Sequence, residues 1–212
     1  MRKLPVYLLL DVSTSMMGDP IEAVKNGLKT LVTGLRQDPY ALETAYLSII
    51  TFNHQAQQVV PLTELTDFQE PVLEARGQTA LGAALDLVSE KIDEEVIRSS
   101  PTQKGDWKPL VFIMTDGLPT DDITMSLSKF KSKKCGIVIG CAAGPHADVN
   151  SLKQITDYVV KLDTLDSGSV QSFFKWVSAS ISVSSTKIET SGLELGGVSE
   201  LPPPPAEVNI VM

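Results

Sequence analysis

Oxygen-bearing side chains stand at the ends of apolar segments in three parts of the chain. Asp11, Ser13 and Ser15 alternate directly after one apolar run, Asp116 follows another, and Thr79 precedes an amphipathic stretch. Together they supply two carboxylates and three hydroxyls, with no thiol and no imidazole. Hard oxygen donors of this kind suit Mg²⁺, Mn²⁺ or Ca²⁺. The pattern therefore predicts a site for one divalent cation, with Mg²⁺ the first expectation.

The elements that must position these residues can be predicted from hydrophobic periodicity. Apolar runs that are buried on both faces predict strands, and residues 55–60 are expected to form a short antiparallel edge strand. Apolar residues at three- and four-residue steps predict helices that begin near Pro20, Thr79 and Asp121, and a last helix over residues 170–181. The other predicted strands are residues 5–10, 45–52, 109–114, 136–142 and 157–162. This alternation indicates an α/β fold, doubly wound, with a mostly parallel sheet and helices on both faces.

This architecture brings the candidate ligands together. Asp11 and Asp116 both leave the sheet at the carboxyl ends of parallel strands, which is the edge where doubly wound folds bind ligands. Thr79 begins its own helix and is expected near the same crevice. If hydroxyls hold the ion and the acids act partly through water, the cation stays under-neutralised. It would then attract a carboxylate from outside the chain.

The amphipathic pattern stops near Ser184. We therefore expect one domain over residues 1–184 and an extended tail over residues 185–212 that contains Gly, Ser and four consecutive prolines, Pro202 to Pro205. The apolar terminus after Val208 either stays free or adds as a strand to a sheet edge, its own or a partner's.

Composition narrows the class of partner. The formal net charge is -8 at pH 7, which argues against nucleic acid or an anionic membrane, because both require a basic surface. No segment is long enough to span a membrane, and the apolar run after Lys3 is too short for a signal peptide. A cytoplasmic location is the resulting expectation.

The remaining reactive residues are expected to be structural. Cys135 and Cys141 lie too far apart along one apolar strand for a disulfide, and they form no CxxC motif. His54 and His146 are predicted to face solvent in loops far from the acidic motif. Asp121 and its neighbour Asp122 are interpreted as helix-capping charges.

The five candidate ligands resemble the metal-ion-dependent adhesion site of von Willebrand factor A (vWA) domains. The match comprises Asp11-x-Ser13-x-Ser15, Thr79 in a Gly-x-Thr setting, and Asp116 before Gly117, in the order expected, and the resemblance covers about residues 4 to 184. It implies a Rossmann-like vWA fold in which Ser13, Ser15 and Thr79 bind the metal directly, and the two acids bind it directly or through water. It also implies that a partner protein's Asp or Glu completes the shell. Within the family the chain is most similar to TerY-type proteins of bacterial tellurium-resistance and stress loci.

Enzymatic alternatives lack necessary residues. A Mg²⁺-dependent phosphatase of the haloacid-dehalogenase type would use Asp11 as nucleophile, but it needs a second acid two residues later for proton transfer, where Ser13 stands. A dinucleotide-binding oxidoreductase would need glycines in the turn after the first strand. A phosphoacceptor receiver domain would need an acid pair before the first helix. The sequence therefore favours a protein-binding module over an enzyme.

Overall fold

A single seven-stranded sheet organises residues 2–211, which are the residues that the computed structural model describes. The strands are β1 (Leu4–Asp11), β2 (Ala45–Phe52), β3 (Ala56–Glu64), β4 (Leu110–Thr115), β5 (Ile137–Ala143), β6 (Val159–Leu162) and β7 (Asn209–Val211). Their spatial order is β3-β2-β1-β4-β5-β6-β7. The pairs among β2, β1, β4, β5 and β6 are parallel, whereas β3 and β7 run antiparallel at the two edges.

Six α-helices within residues 2–211 cover both faces of the sheet. They are α1 (Asp19–Gln37), α2 (Pro39–Thr44), α3 (Leu81–Glu95), α4 (Thr124–Lys131), α5 (Val149–Ile155) and α6 (Ser167–Ser191). Alternate residues of β1 point to opposite faces: Val6 and Leu8 pack with α1, α2 and α6, while Tyr7 and Leu9 pack with α3, α4 and α5. Period-two alternation between two apolar layers explains why the central strands are apolar throughout.

The predicted fold is confirmed. Each of the six predicted strands is present, although β3 continues four residues further, to Glu64, than expected. Two short helices, α2 and α5, were not predicted. Each is capped by an aspartate, Asp38 and Asp148, whose carboxylate accepts hydrogen bonds from backbone N–H groups of the first turn. No helix among residues 2–211 combines the length and apolarity needed to cross a membrane.

The C-terminal segment lies against the chain's own sheet. Helix α6 continues to Ser191, past the end of the amphipathic pattern. The segment beyond α6 is held in two places: the Pro202 carbonyl accepts a hydrogen bond from Nε1 of Trp176 in α6 (2.8 Å), and Val208 is buried just before β7, which pairs with β6. Of the predicted placements of the terminus, which were a free tail, its own sheet and a partner's sheet, the structure shows pairing with its own sheet. The division into a domain and a tail at residue 184 stays a prediction.

Candidate metal centre

Strands β1 and β4 end side by side. The two strands are parallel neighbours, with Leu10 opposite Met114 in the register. Asp11 is the last residue of β1, and Asp116 follows the last residue of β4. Both acids therefore emerge at the carboxyl edge of the sheet.

Hydrogen bonds fix the Asp11 side chain at this edge. Its side chain is buried, its Oδ1 accepts a hydrogen bond from the backbone N–H of Ser13 (2.8 Å), and its Oδ2 accepts one from Thr115 Oγ1 (2.6 Å). Burial raises the pKa of the Asp11 carboxyl, and these hydrogen bonds oppose that rise. A cation at this position would favour the ionised form and so relieve the cost of burying the charge.

A chain of hydroxyl contacts joins the first loop to Asp116. Ser13 Oγ lies 3.0 Å from Ser15 Oγ, which in turn donates to Asp116 Oδ1 at 2.8 Å. Burial raises the pKa of Asp116, while the Ser15 hydrogen bond and the charge of His146 act to lower it. The loop between these contacts is a single 3₁₀ turn over Thr14–Met16, which is tight enough to present both serine hydroxyls to one point.

Thr79 is brought to the same place by backbone hydrogen bonds of its loop. Its carbonyl accepts the N–H of Thr120 (2.9 Å), and the next residue, Ala80, donates its N–H to the Asn53 carbonyl (2.6 Å). The Thr79 hydroxyl has no hydrogen-bond partner in residues 2–211, and its Oγ1 lies 3.6 Å from where a Cβ on Gly117 would stand. It is thus a free oxygen donor beside Asp116.

The five predicted ligands are therefore gathered at one sheet edge, and their chemistry fits a hard divalent cation. Asp11, Ser13, Thr79 and Asp116 are each at most 7% exposed, whereas Ser15 is exposed. The protein therefore encloses four of the donors, and the site is open to solvent beside Ser15. Only two carboxylates contribute, and the described residues contain no group of three or more His, Cys, Asp or Glu side chains suited to a metal. If the two carboxylates acted on a divalent ion partly through water, that ion would keep residual positive charge on its open side.

Sequence reasoning missed residues that support this site. The Thr115 hydroxyl donates a hydrogen bond to the Asp11 carboxylate. Thr120 makes two hydrogen bonds with the Thr79 backbone: its N–H donates to the Thr79 carbonyl, and its Oγ1 accepts the Thr79 N–H at 3.2 Å. Gly77 has a positive φ of 79°, and its carbonyl accepts hydrogen bonds from both the N–H and the hydroxyl of Thr14. A signal for Thr115 was available, because the last residue of a strand next to β1 falls opposite Asp11. Nothing in the sequence alone indicates the other contacts.

Two minor predictions need correction. His54 and His146 are exposed, as expected, but they are not far from the motif: His54 Nδ1 lies 2.9 Å from where a Cβ on Gly77 would stand, and the charge of His146 acts on Asp116. Asp121 does cap a helix, but the helix is α3, through the N–H groups of Gly82 and Ala83. Asp122 accepts hydrogen bonds from the N–H and the hydroxyl of Thr124, the first residue of α4.

The two cysteines are free, as predicted. Cys141 is buried within β5, and Cys135 is partly buried just before that strand. Burial raises the pKa of the Cys135 thiol to about 12 and raises that of Cys141 as well. Neither thiol lies among the five candidate ligands.

Solved structures with the same fold come from diverse proteins. A von Willebrand factor type A protein from Catenulispora acidiphila aligns with a TM-score of 0.67 at 18% identity, covering 86% of this chain and 43% of that one. Proximal thread matrix protein 1 from the mussel byssus, in a structure whose metal-ion-dependent adhesion site (MIDAS) motif is occupied by zinc, aligns with a TM-score of 0.62 at 19% identity. The alignment covers 84% of this chain and 48% of that one. The pilus adhesin SpaC from Lactobacillus rhamnosus GG aligns with a TM-score of 0.68 at 14% identity, covering 86% of this chain and 30% of that one. This chain thus spans less than half the length of each.

No curated protein sequence matches the chain. The family model described as von Willebrand factor type A domain does match it, over residues 6–175. That span contains all five candidate ligands, strands β2 to β6 and all of β1 except its first two residues. The match gives no support to the phosphatase alternative. The chain belongs to the von Willebrand factor type A domain family.

Proposed function

We propose that this vWA domain is a protein-interaction module that binds its partner through a divalent cation, and that it is not an enzyme. Ser13, Ser15 and Thr79 would hold Mg²⁺ directly, and Asp11 and Asp116 would bind it directly or through water. Mn²⁺ or Ca²⁺ would use the same oxygen donors. The cation supplies a positively charged, open coordination position, and the chain's own residues fix where that position lies.

The observation that carries the proposal is the composition and shape of the five-donor site. Two carboxylates balance the formal charge of one divalent ion. Because each carboxylate also accepts a hydrogen bond from a neighbouring hydroxyl, its negative charge is shared between that hydroxyl and the ion. The site opens to solvent beside the exposed Ser15. The related mussel protein carries zinc in a site of this type, which supports metal occupancy without deciding which metal operates here.

The expected last ligand is an Asp or Glu side chain of another protein. A carboxylate gains most from an under-neutralised cation, because the attraction is strong where protein walls exclude water. The net charge of -8 makes nucleic acid and anionic membranes unsuitable partners. The similarity to TerY-type proteins suggests a role in a bacterial tellurium-resistance or stress-response system in the cytoplasm, and this narrower assignment rests on the sequence resemblance alone.

Substitutions at Thr79 test the proposal with a matched pair. Thr79→Ser keeps the hydroxyl and Thr79→Ala removes it, and neither disturbs the backbone bonds of Thr79 to Thr120. Capture of the cellular partner in Mg²⁺ should survive Thr79→Ser, fall strongly with Thr79→Ala, and be abolished by EDTA. Thr79→Asp should also weaken capture, because an added carboxylate would neutralise the ion. Capture that persists in EDTA and in both the Ala and Asp variants would refute metal-mediated recognition.

A further inference from the structure

Two large apolar side chains stand in solvent beside the candidate metal centre. Met17 is 60% exposed and Leu118 is 66% exposed. Met17 follows Ser15 by two residues, and Leu118 follows Asp116 by two, so each Cα lies within about 7 Å of a candidate ligand's Cα. Since Ser15 and Asp116 are hydrogen-bonded to each other at 2.8 Å, the two segments that carry Met17 and Leu118 meet at the candidate metal centre.

The position of Leu118 is fixed by the site itself. It lies between Asp116, which receives the Ser15 hydroxyl, and Thr120, whose N–H is bonded to the Thr79 carbonyl at 2.9 Å. The loop is thus tied at both ends to candidate ligands, and Leu118 is nevertheless directed outward. Exposed apolar side chains are ordinary where they are scattered, but these two stand on the two segments that hold the exposed side of the candidate metal centre.

Arg76 is a basic residue, unpaired within the described part of the chain, whose backbone adjoins the first loop. The backbone N–H of Arg76 donates to the Val12 carbonyl at 2.8 Å, which places Arg76 next to the Asp11–Ser15 loop. Its side chain is exposed and has no hydrogen-bond or ion-pair partner within residues 2–211. On a chain of net charge -8, such a basic residue beside this loop is complementary to an acidic segment.

We infer that the partner segment carries an apolar side chain next to the acidic residue that reaches the metal, and that this apolar side chain packs on Met17 and Leu118. This inference rests on the proposed function for the acidic residue, and it adds the apolar neighbour. The metal then supplies the anchoring charge, and the two side chains select among acidic segments. Burying the exposed parts of Met17 and Leu118 against a partner's apolar side chain corresponds to about a tenfold gain in affinity.

A phage-displayed library of random peptides, selected on the immobilised full chain in Mg²⁺, tests the inference. Peptides that bind the native chain should be enriched in Asp or Glu with an adjacent Leu, Ile, Met or Phe. The Met17→Ser/Leu118→Ser double variant should bind the same peptides about tenfold more weakly. Both changes replace exposed side chains, so the melting temperature should match that of the native chain.

Leu193→Ser provides a matched control. Leu193 is 62% exposed, but it adjoins Glu194, which is bonded to Lys108 near the start of β4 and therefore at the opposite end of that strand from Asp116. This variant should bind the selected peptides as the native chain does. Acidic peptides without an apolar neighbour, or equal binding by the native chain and the double variant, would overturn the inference while leaving the proposed function intact. An apolar preference that persists in EDTA without acidic residues would instead contradict the proposed function, and absence of any enriched peptide would count against both.

Discussion

Replacing Thr115 with valine removes a buried hydroxyl while keeping nearly the same side-chain shape. In the native chain Thr115 is 1% exposed, and its Oγ1 donates to Asp11 Oδ2 at 2.6 Å. Valine would leave that carboxylate oxygen buried without its donor. A hydrogen bond to a charged group contributes about 1.5–3 kcal/mol. For a chain of this length the melting temperature should fall by roughly 3–10 °C in the absence of metal.

Thr124→Val is the matched control for Thr115→Val. Thr124 Oγ1 donates to Asp122 Oδ1 at the same distance, 2.6 Å, but this pair is exposed. Water replaces the lost bond there, so the melting temperature should fall by much less than it does for Thr115→Val. Differential scanning calorimetry of both variants with EDTA present provides the comparison.

The same substitution should weaken metal binding. A group that orients a metal-binding carboxylate typically contributes tenfold or more to metal affinity, so Thr115→Val should bind Mg²⁺ about tenfold less tightly than the native chain. In a double-mutant cycle with Asp11→Asn, the stability cost of Thr115→Val should shrink, because the charged acceptor is gone. Equal melting temperatures for Thr115→Val and Thr124→Val, together with unchanged Mg²⁺ affinity, would refute this account of Asp11.

Three further predictions concern the acids, the C-terminal segment and the cysteines. Asp11→Ala and Asp116→Ala should each abolish Mg²⁺ binding by calorimetry while the circular dichroism spectrum stays native, and retained affinity in both would contradict the ligand assignment. Deleting residues 198–212 removes β7 and the buried Leu201 and Val208, so the melting temperature should fall by roughly 5–10 °C; an unchanged value would indicate a tail that contributes nothing. Iodoacetamide at pH 8 should modify the thiols of the native protein at least about a hundredfold more slowly than those of the protein unfolded in urea. The reason is that burial raises the pKa of Cys135 to about 12. Rapid modification of the native protein would contradict the described burial.

Local patterns were sufficient for six of the strands, for four of the helices and for placing the candidate ligands. Continuous apolar runs predicted the parallel strands because both faces of β1 and β4 are covered by helices. Asp11 and Asp116 directly follow such runs, so their meeting at one edge required only that the two strands be parallel.

The contacts that sequence reasoning missed all depend on how separate segments pack. Asp121 looked like the cap of the helix that follows it, but the packing of its loop places its carboxylate on the first turn of α3. His146 is far from Asp116 along the chain, and only the β5–α5 loop brings its charge within reach. The pairing of β7 with β6 is likewise not specified by the three residues of β7, because their own pattern fits a free tail equally well.

Crystals grown with Mn²⁺ and measured near its absorption edge would test the central claim most directly. We expect one anomalous peak at the carboxyl edge of β1 and β4, within about 2.5 Å of the hydroxyl oxygens of Ser13, Ser15 and Thr79, and no such peak in Asp116→Ala crystals grown in the same way. A peak bound by other residues, or none in the native protein, would contradict the assignment of this edge as a metal centre.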